Sequence, residues 1–318
     1  MTGGAGFIGT HLCEYLIRSG LRVVVLDDLS TGSRDNAEYL AGLGADVAEM
    51  DVGESCRVPG PVDVLFHLAC PASPADFARM PARIVRTGGI GVINALDEAC
   101  RQNARMVYVS SSEVYGDPTE TPQRESYRGN VSTTGVRSCY DESKRFGEAA
   151  TAAYVRERKL DAGIVRPFNT YGPRMRADDG RVVPNFITQA LLGADLTIYG
   201  DGRQTRSMCY VTDTVRAIAA MGRSSSPGPI NVGGDQEITV SELAHTVLRV
   251  TASPAGVVFG PPAPDDPRRR RPDIRLAGAE LGWRPEVSLT EGLAATVDWY
   301  RSAAEAVGSA TRSGRHLR

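Results

Sequence analysis

The sequence lacks the marks of several protein classes. Its six cysteines, Cys13, Cys56, Cys70, Cys100, Cys139 and Cys209, are scattered, and no two form a CxxC pair. A chain of 318 residues can bury a large core without disulfides, so reduced thiols and a cytoplasmic setting are expected. No His/Cys/Asp cluster has metal-ligand spacing, and no metal is expected. The net charge is −2, which argues against a general nucleic-acid binder. No apolar run approaches the ~20 residues of a membrane span. No basic stretch followed by an apolar one stands at the start, so secretion is not expected. There is no internal repeat.

What is present is an alternation. Hydrophobic residues make up 42% of the chain. The runs Leu21–Leu26, Val62–Leu68, Met106–Ser110 and Ala162–Arg166 read as buried strands. Helical patterns such as Ile8–Ser19 and Ile90–Arg101 lie between them. Strands apolar throughout and separated by helices predict an α/β fold with a doubly wound parallel (Rossmann) sheet. After Val182 the pattern shortens and is broken at Ser224–Pro229 and Gly260–Pro272. This predicts a smaller C-terminal substrate-binding lobe over residues 182–301, interleaved with the sheet because strand character returns at Ile230–Val232. Residues 1–181 then form mainly the cofactor-binding domain. From Ser302 to Arg318 the chain is rich in Ala, Ser, Gly and Arg and reads as a flexible tail. The first strand is expected to be missing, or the natural start to lie upstream, because only Met1 and Thr2 precede a glycine loop.

That loop, Thr2-Gly3-Gly4-Ala5-Gly6-Phe7-Ile8-Gly9, has its glycines at a 3-3 spacing. Gly3 permits the tight turn, Gly6 the close approach of a pyrophosphate, and Gly9 the close packing of the helix. The helix N-terminus that follows favours an anion. Asp27 ends the next apolar run, where a carboxylate accepts from both ribose hydroxyls and repels a 2′-phosphate. NAD is therefore expected over NADP. Asp51, which is expected to end the third strand at Met50-Asp51-Val52, is a candidate for the adenine.

Tyr140 and Lys144 stand four apart and share a helix face. An ammonium beside a phenol favours the phenolate and lowers its pKa from ~10, which would suit proton exchange with a substrate hydroxyl near neutral pH. The YxxxK spacing is common by itself. It gains weight from Val109-Ser110-Ser111-Ser112-Glu113-Val114-Tyr115-Gly116, a strand whose C-terminal end carries hydroxyls where ligands bind in such sheets. Ser111 there can donate to a substrate oxygen beside Tyr140; its bland reading is a strand-end cap.

Taken together, TGGAGFIG, the later Asp27, SSSEVYG and YDESK resemble the extended short-chain dehydrogenase/reductase family (the NAD-dependent epimerase/dehydratases). Further segments resemble its UDP-glucuronate decarboxylase branch. These are His67–Pro74, Ser112–Pro118, Cys139–Arg145, Phe168–Met175, Asp179–Val183, Gln204–Arg206, and Arg271–Ile274 followed by Gly282-Trp283. The resemblance runs from residue 2 to about residue 300. It implies bound NAD, a UDP-sugar substrate and C4 oxidation. Tyr140 is then the base, Lys144 its tuner and Ser111 the polarising hydroxyl, with Glu113 and Arg270 near C5 and the carboxylate. Gly3, Gly6, Phe7, Ile8, Gly9, Asp27, Asp51 and Leu68 would hold the cofactor with Tyr140 and Lys144. Ser112, Glu113, Asn169, Arg174, Val183, Asn185, Arg206 and Arg270 would hold the UDP-sugar; guanidinium forks suit phosphate oxygens. In UDP-glucuronate the C4 ketone lies β to the C6 carboxylate, so carbon dioxide loss and re-reduction would give UDP-xylose. The resemblance also implies a homodimer through the helix carrying YxxxK, with the stripe Ala149, Ala152, Ala153 and Val155. His67 reads as structural; for the arginines flanking Arg270 in Arg268–Arg271 the bland reading is a solvated basic turn.

Two departures from the family pattern stand out besides the start. Gly88-Gly89 replaces a usual Asn-Thr pair, and Ser143 replaces a usual glycine inside YxxxK. A UDP-sugar 4-epimerase is the competing enzyme reading. It is disfavoured because simple epimerases carry a small residue where this chain has Glu113. A dehydratase is disfavoured because Ser112 stands where that branch has Asp. A non-catalytic nucleotide-sugar or NAD-binding scaffold is the competing reading of another class.

Overall fold

A computed structural model describes residues 1–262 and 269–313. Six parallel strands and a two-residue stump build the central sheet. They are β1 (Val24–Asp27), β2 (Asp46–Glu49), β3 (Val64–His67), β4 (Arg105–Val109), β5 (Ala162–Pro167) and the later strand Ile230–Val232. The order is β2, β1, Met1–Thr2, β3, β4, β5 and Ile230–Val232. Every residue of β4 and β5 is buried, as expected of strands covered by helices on both faces.

The first strand is represented by Met1 and Thr2. Thr2 bridges both Leu26 and His67 in parallel. Its N–H donates to Phe66 O at 3.0 Å and its carbonyl accepts from Leu68 N at 3.1 Å. The Thr2 hydroxyl also meets His67 Nδ1 at 2.8 Å. This contact gives His67 a structural place: burial is the first cause that pushes its imidazole down, to about 3, so it stays neutral.

Helix α1 (Phe7–Arg18) covers one face and α2 (Arg34–Gly42) follows β1. Short α3 (Pro74–Arg79) and α4 (Pro81–Arg86) lead into a π-helical turn, Thr87–Gly91, and then α5 (Val92–Gln102). Helix α6 (Ser138–Arg158) carries the YxxxK segment. One core layer packs Leu12, Leu16 and Ile218 on Val25, Val107 and Val165. The opposite layer packs Leu96 and Ala150 on Leu65, Met106 and Ile164. Burying each such aliphatic side chain contributes about 1.5–3 kcal/mol.

Strand boundaries differ from the sequence expectation at two places: β2 ends at Glu49, before the expected Met50-Asp51-Val52, and β1 begins late. Leu21 was expected to open β1, but it is 53% exposed. Gly20 at φ +81° ends α1, and residues 21–23 only carry the chain back to the sheet.

The second lobe has its own core of Phe186, Ile187, Leu196, Ile198, Leu243 and Leu293. It holds the helix Val182–Leu191, the paired strands Leu196–Tyr199 and Val257–Gly260, and a sheet of Glu237–Thr239, Thr205–Ser207 and Arg269–Arg270. Ile230–Val232 returns to pair with β5, so the two lobes interleave. The last helix spans Leu289–Ser313 and so runs through most of the stretch that read as a tail. The end of that stretch, residues 314–318, and Arg268 lie outside the described residues.

Candidate active site

A cleft of about 590 Å³ opens along the C-terminal ends of the strands and under the second lobe, where ligands bind in such sheets. Gly3 turns the chain there at φ +70°. A Cβ on Gly3 would stand 2.7 Å from Ala69 N, and one on Gly9 2.1 Å from Gly3 O. Both contacts are impossible, so the tight turn and the close helix start each require glycine. The first turn of α1 has no side-chain cap and no acidic residue, which leaves N–H groups and positive dipole for an anion. This uncapped cradle fits a dinucleotide pyrophosphate.

Asp27 is buried at the end of β1. Its carboxylate accepts from Ala5 N and from Leu29 N, both at 2.9 Å. Burial pushes its carboxyl up while these N–H groups pull it down. It lines the cleft with Gly3, Gly6, Phe7, Ile8, Gly9 and Leu68. Asp51 is placed differently. β2 ends at Glu49, and the Asp51 side chain accepts from Gly53 N at 2.7 Å within its own turn. Met50 and Val52 line the cleft instead.

At the other end, α6 brings Tyr140 and Lys144 together in the cleft wall, both buried. Lys144 Nζ donates to Val109 O at 2.8 Å and lies 5.7 Å from the Tyr140 ring centre. The expected lowering of the Tyr140 phenol by Lys144 is not met in this arrangement. Burial dominates and pushes the phenol well above its ordinary range, while the Ser111 hydrogen bond and the Arg181 charge oppose it. Burial likewise pushes the Lys144 ammonium down. Ser111 serves both readings at once: it caps the following 3-10 turn by accepting from Glu113 N at 3.2 Å, and it bonds Tyr140.

Glu113 is gripped from two sides. Arg270 reaches it with both terminal nitrogens, one of them at 3.1 Å, and Arg137 Nη2 donates to Oε2 at 2.6 Å. Burial pushes this carboxyl up, but the two guanidiniums outweigh it and hold it well below the carboxylate range. Arg270 Nη2 also donates to Gly116 O at 3.1 Å.

Ser112, Asn169, Val183, Asn185 and Arg206 all line the cleft. The Asn169 amide nitrogen is buried without a protein partner, a donor suited to a phosphate or sugar oxygen. Arg174 also lines the cleft, but on the side of α2. Its guanidinium stacks 3.9 Å over the Tyr39 ring and donates to Asn36 Oδ1 at 2.8 Å. Asn36 in turn donates to Ala5 O in the glycine loop at 3.0 Å. Arg174 thus stands nearer the cofactor cradle than the uridine side expected for it.

Sequence reasoning missed Arg137, Phe77 and Arg181. Phe77 stacks on Tyr140 at 5.2 Å. Arg181 donates to Ala72 O at 2.5 Å. The available signal for Arg137 was its position three residues before Tyr140, one helical turn away. Phe77 had none, because only the fold brings it there. Among the described residues no cluster of three or more His, Cys, Asp or Glu could hold a metal ion, and no helix is long and apolar enough to cross a membrane.

Comparison with known proteins follows the same lines. A model described as the NAD dependent epimerase/dehydratase family matches residues 1–233. UDP-glucuronic acid decarboxylase 6 of Arabidopsis thaliana is 47% identical over 295 residues, 92% of this chain and 85% of that protein. UDP-glucuronic acid decarboxylase 1 of Danio rerio is 44% identical over 301 residues, covering 94% and 72%. Among solved structures, a Thermotoga maritima UDP-glucose 4-epimerase with UDP-glucose superposes with TM-score 0.87 at 31% identity, covering 95% of this chain and 98% of that one. A Streptomyces venezuelae dTDP-glucose 4,6-dehydratase with NAD bound superposes with TM-score 0.85 at 30% identity, covering 95% and 96%.

Proposed function

Because the chain belongs to the NAD dependent epimerase/dehydratase family, we propose that it is a UDP-glucuronate decarboxylase that makes UDP-xylose. The carrying observation is the sequence likeness to UDP-glucuronic acid decarboxylases, 43–47% identity over at least 92% of the chain. The epimerase whose fold superposes so well is only 31% identical. The half-buried Glu113 between two arginines, at the Tyr140 end of the cleft, supports the same reading. NAD, the cofactor of this family, supplies the hydride acceptor and donor when bound.

The chain's own residues do the rest. Tyr140 takes the proton of the C4 hydroxyl, and the Ser111 hydroxyl polarises the same oxygen. Lys144 holds the Tyr140 environment cationic. In the 4-keto uronate, the C5–C6 bond breaks and its electrons flow into the C4 carbonyl, whose oxygen Tyr140 and Ser111 hold. Carbon dioxide leaves, and a proton is added at C5. Arg270 keeps Glu113 fixed and ionised at that end of the cleft. Asn169 and Arg206 face the diphosphate, with Ser112, Val183 and Asn185 against the sugar and uridine. Asp27 and the glycine loop take the NAD ribose and pyrophosphate, with Arg174 beside them. The cofactor thus belongs to residues 1–181, and the UDP-sugar is shared between that part and residues 182–301.

The same reading includes a homodimer formed on α6. Phe146 and Ala149 are exposed there, and Val85 and Ile90 extend the apolar face. Six free cysteines support a reducing compartment such as the cytoplasm. The decisive experiment incubates the protein with NAD and UDP-glucuronate and follows the mass of the product. UDP-pentose with released carbon dioxide is expected. UDP-galacturonate without carbon dioxide would establish the epimerase instead.

A further inference from the structure

A lysine taken out of water keeps its charge only if its surroundings replace the lost hydration. Lys144 is 4% exposed, and burial pushes its ammonium down. Its neighbours supply little negative charge. Cys70, in the loop after β3, is a thiol that burial pushes up, and His67 of β3 is neutral. Glu148, one turn along α6, is taken by two guanidinium bonds from Arg166 at 2.7 and 2.6 Å and by Ser110 Oγ at 2.6 Å. What meets the ammonium directly is the C-terminal end of β4. Val109 O accepts from Nζ at 2.8 Å, and the centre of the Tyr108 ring lies 5.3 Å from Nζ, against 5.7 Å for the Tyr140 ring. The alternation of β4 explains this placement. Val107 and Val109 face the α1 layer, so Met106 and Tyr108 face α6. Tyr108 is fully buried there. Its ring stacks on His67 at 6.0 Å, and its hydroxyl donates to Lys144 O at 3.4 Å. Helix α6 makes room for it: a Cβ on Gly147 would stand 2.0 Å from the Tyr108 hydroxyl oxygen and 2.2 Å from the ring carbon that carries it. An aliphatic side chain would fill this core position with no hydroxyl to satisfy. The fold instead accepts a glycine inside α6, which weakens a helix, and brings this ring under the ammonium.

We propose that Tyr108 is a positioning residue whose ring face carries the Lys144 ammonium beside Tyr140. The negative face of an aromatic ring attracts a cation most strongly where both are out of water. Tyr108 is not part of the cleft wall, whereas Lys144 and Tyr140 are. It therefore acts through Lys144, whose charge favours ionisation of the Tyr140 phenol. The inference rests on the C4 oxidation in the proposed function and adds to it a residue that sets the pH range of that step.

The test reads bound NADH formed in a single turnover of UDP-glucuronate on the NAD-loaded protein, as a function of pH. The rate rises as Tyr140 loses its proton. Weakening the hold on the Lys144 cation makes that loss harder, so the rise should move to higher pH. Tyr108→Leu should move it by about one unit, a tenfold change in ionisation; adding Gly147→Ala fills the space left by the hydroxyl. Tyr108→Phe keeps the ring and should restore most of the unaltered profile. Trifluorinated phenylalanine at the same position keeps the shape but drains charge from the ring face, and it should shift the profile as Tyr108→Leu does. A trifluorinated ring that titrates with Tyr108→Phe would overturn the proposal, whether or not Tyr108→Leu folds. So would a Tyr108→Leu rate that is lower by one factor at every pH, the mark of a purely structural role. C4 oxidation gives NADH in a decarboxylase and in an epimerase alike. Carbon dioxide is scored separately on the unaltered protein, so its absence defeats the decarboxylase reading and leaves this test standing.

Discussion

Gly88 and Ser143 look like two separate departures in the sequence, yet they touch in the structure. A Cβ placed on Gly88 would lie 2.5 Å from Ser143 Cβ, 2.9 Å from its Oγ and 3.5 Å from Cys70 Sγ. Carbon atoms in good contact are about 3.5–4.0 Å apart, so Gly88→Ala must open roughly 1 Å between two helical backbones. Neither partner is a flexible side-chain end. Gly88 is inside the π-helical turn, and Ser143 is on α6 with its hydroxyl donating to Cys139 O at 2.5 Å. Overpacking of this kind costs about 1–3 kcal/mol, offset by about 1 kcal/mol of helix propensity gained. Gly88→Ala alone should therefore destabilise by roughly 0–2 kcal/mol. It should also lower turnover, because the strain pushes on the turn between Tyr140 and Lys144. In a Ser143→Gly background the same change has room, and its cost should vanish or reverse. The two sites should then show a coupling of about 1–3 kcal/mol. Urea unfolding of the four proteins at saturating NAD measures that cycle. Additive effects of the two substitutions would refute the reasoning, since the contact would then carry no energy.

Other substitutions probe the remaining parts. Asp27→Ala should weaken NAD binding and relax the rejection of NADP, read by calorimetry; equal affinity of the unaltered protein for both cofactors would sink the assignment. Tyr140→Phe should abolish both bound NADH and carbon dioxide release, a loss of about 10²–10⁴ in rate for one acid–base group. Glu113→Gln should spare the first hydride transfer and impair carbon dioxide release, and release at the unaltered rate would remove Glu113 from the chemistry. The raised Asp141 carboxyl, at about 7, makes the folded state bind a proton that the unfolded state has already lost from about pH 4 upward. Stability from this group is therefore lost as pH rises from about 4 to 7. Asp141→Asn should gain most over the unaltered protein at and above neutral pH, and a gain largest in acid would contradict the sign. Phe146, 46% exposed on α6, should when changed to Asp give a monomer by sedimentation at micromolar concentration; a protein that is monomeric already would end the dimer proposal.

The glycine loop, Asp27 and the YxxxK helix were legible because each signal is local. A turn that forbids a Cβ, a strand end and a shared helix face are all written within one short stretch. The cluster of Arg137, Glu113 and Arg270 at the reacting end was not legible, because it is made by tertiary contact. Glu113 and Arg270 are 157 positions apart, and Phe77 reaches Tyr140 only because α3 and α4 fold across α6. Arg174 shows the opposite failure. Its segment reads correctly as part of the site, but direction along the cleft depends on the backbone. The residue adopts φ +67°, a left-handed turn uncommon for a side chain of this size, and neighbouring Pro173 O is held by His11 Nε2 at 2.9 Å. The guanidinium lies on Tyr39 and bonds Asn36 of α2, toward the cofactor cradle.

The start of the chain follows the same logic at the level of the sheet. Met1 and Thr2 take the strand position between β1 and β3, at the edge from which the glycine loop leaves the sheet. Gly3 N donates to Leu26 O at 2.8 Å and Leu26 N to Met1 O at 2.8 Å, so the register of the glycine loop is set at the C-terminal edge, next to the ligand. The register of the cradle thus depends on the last pair of residues before the turn.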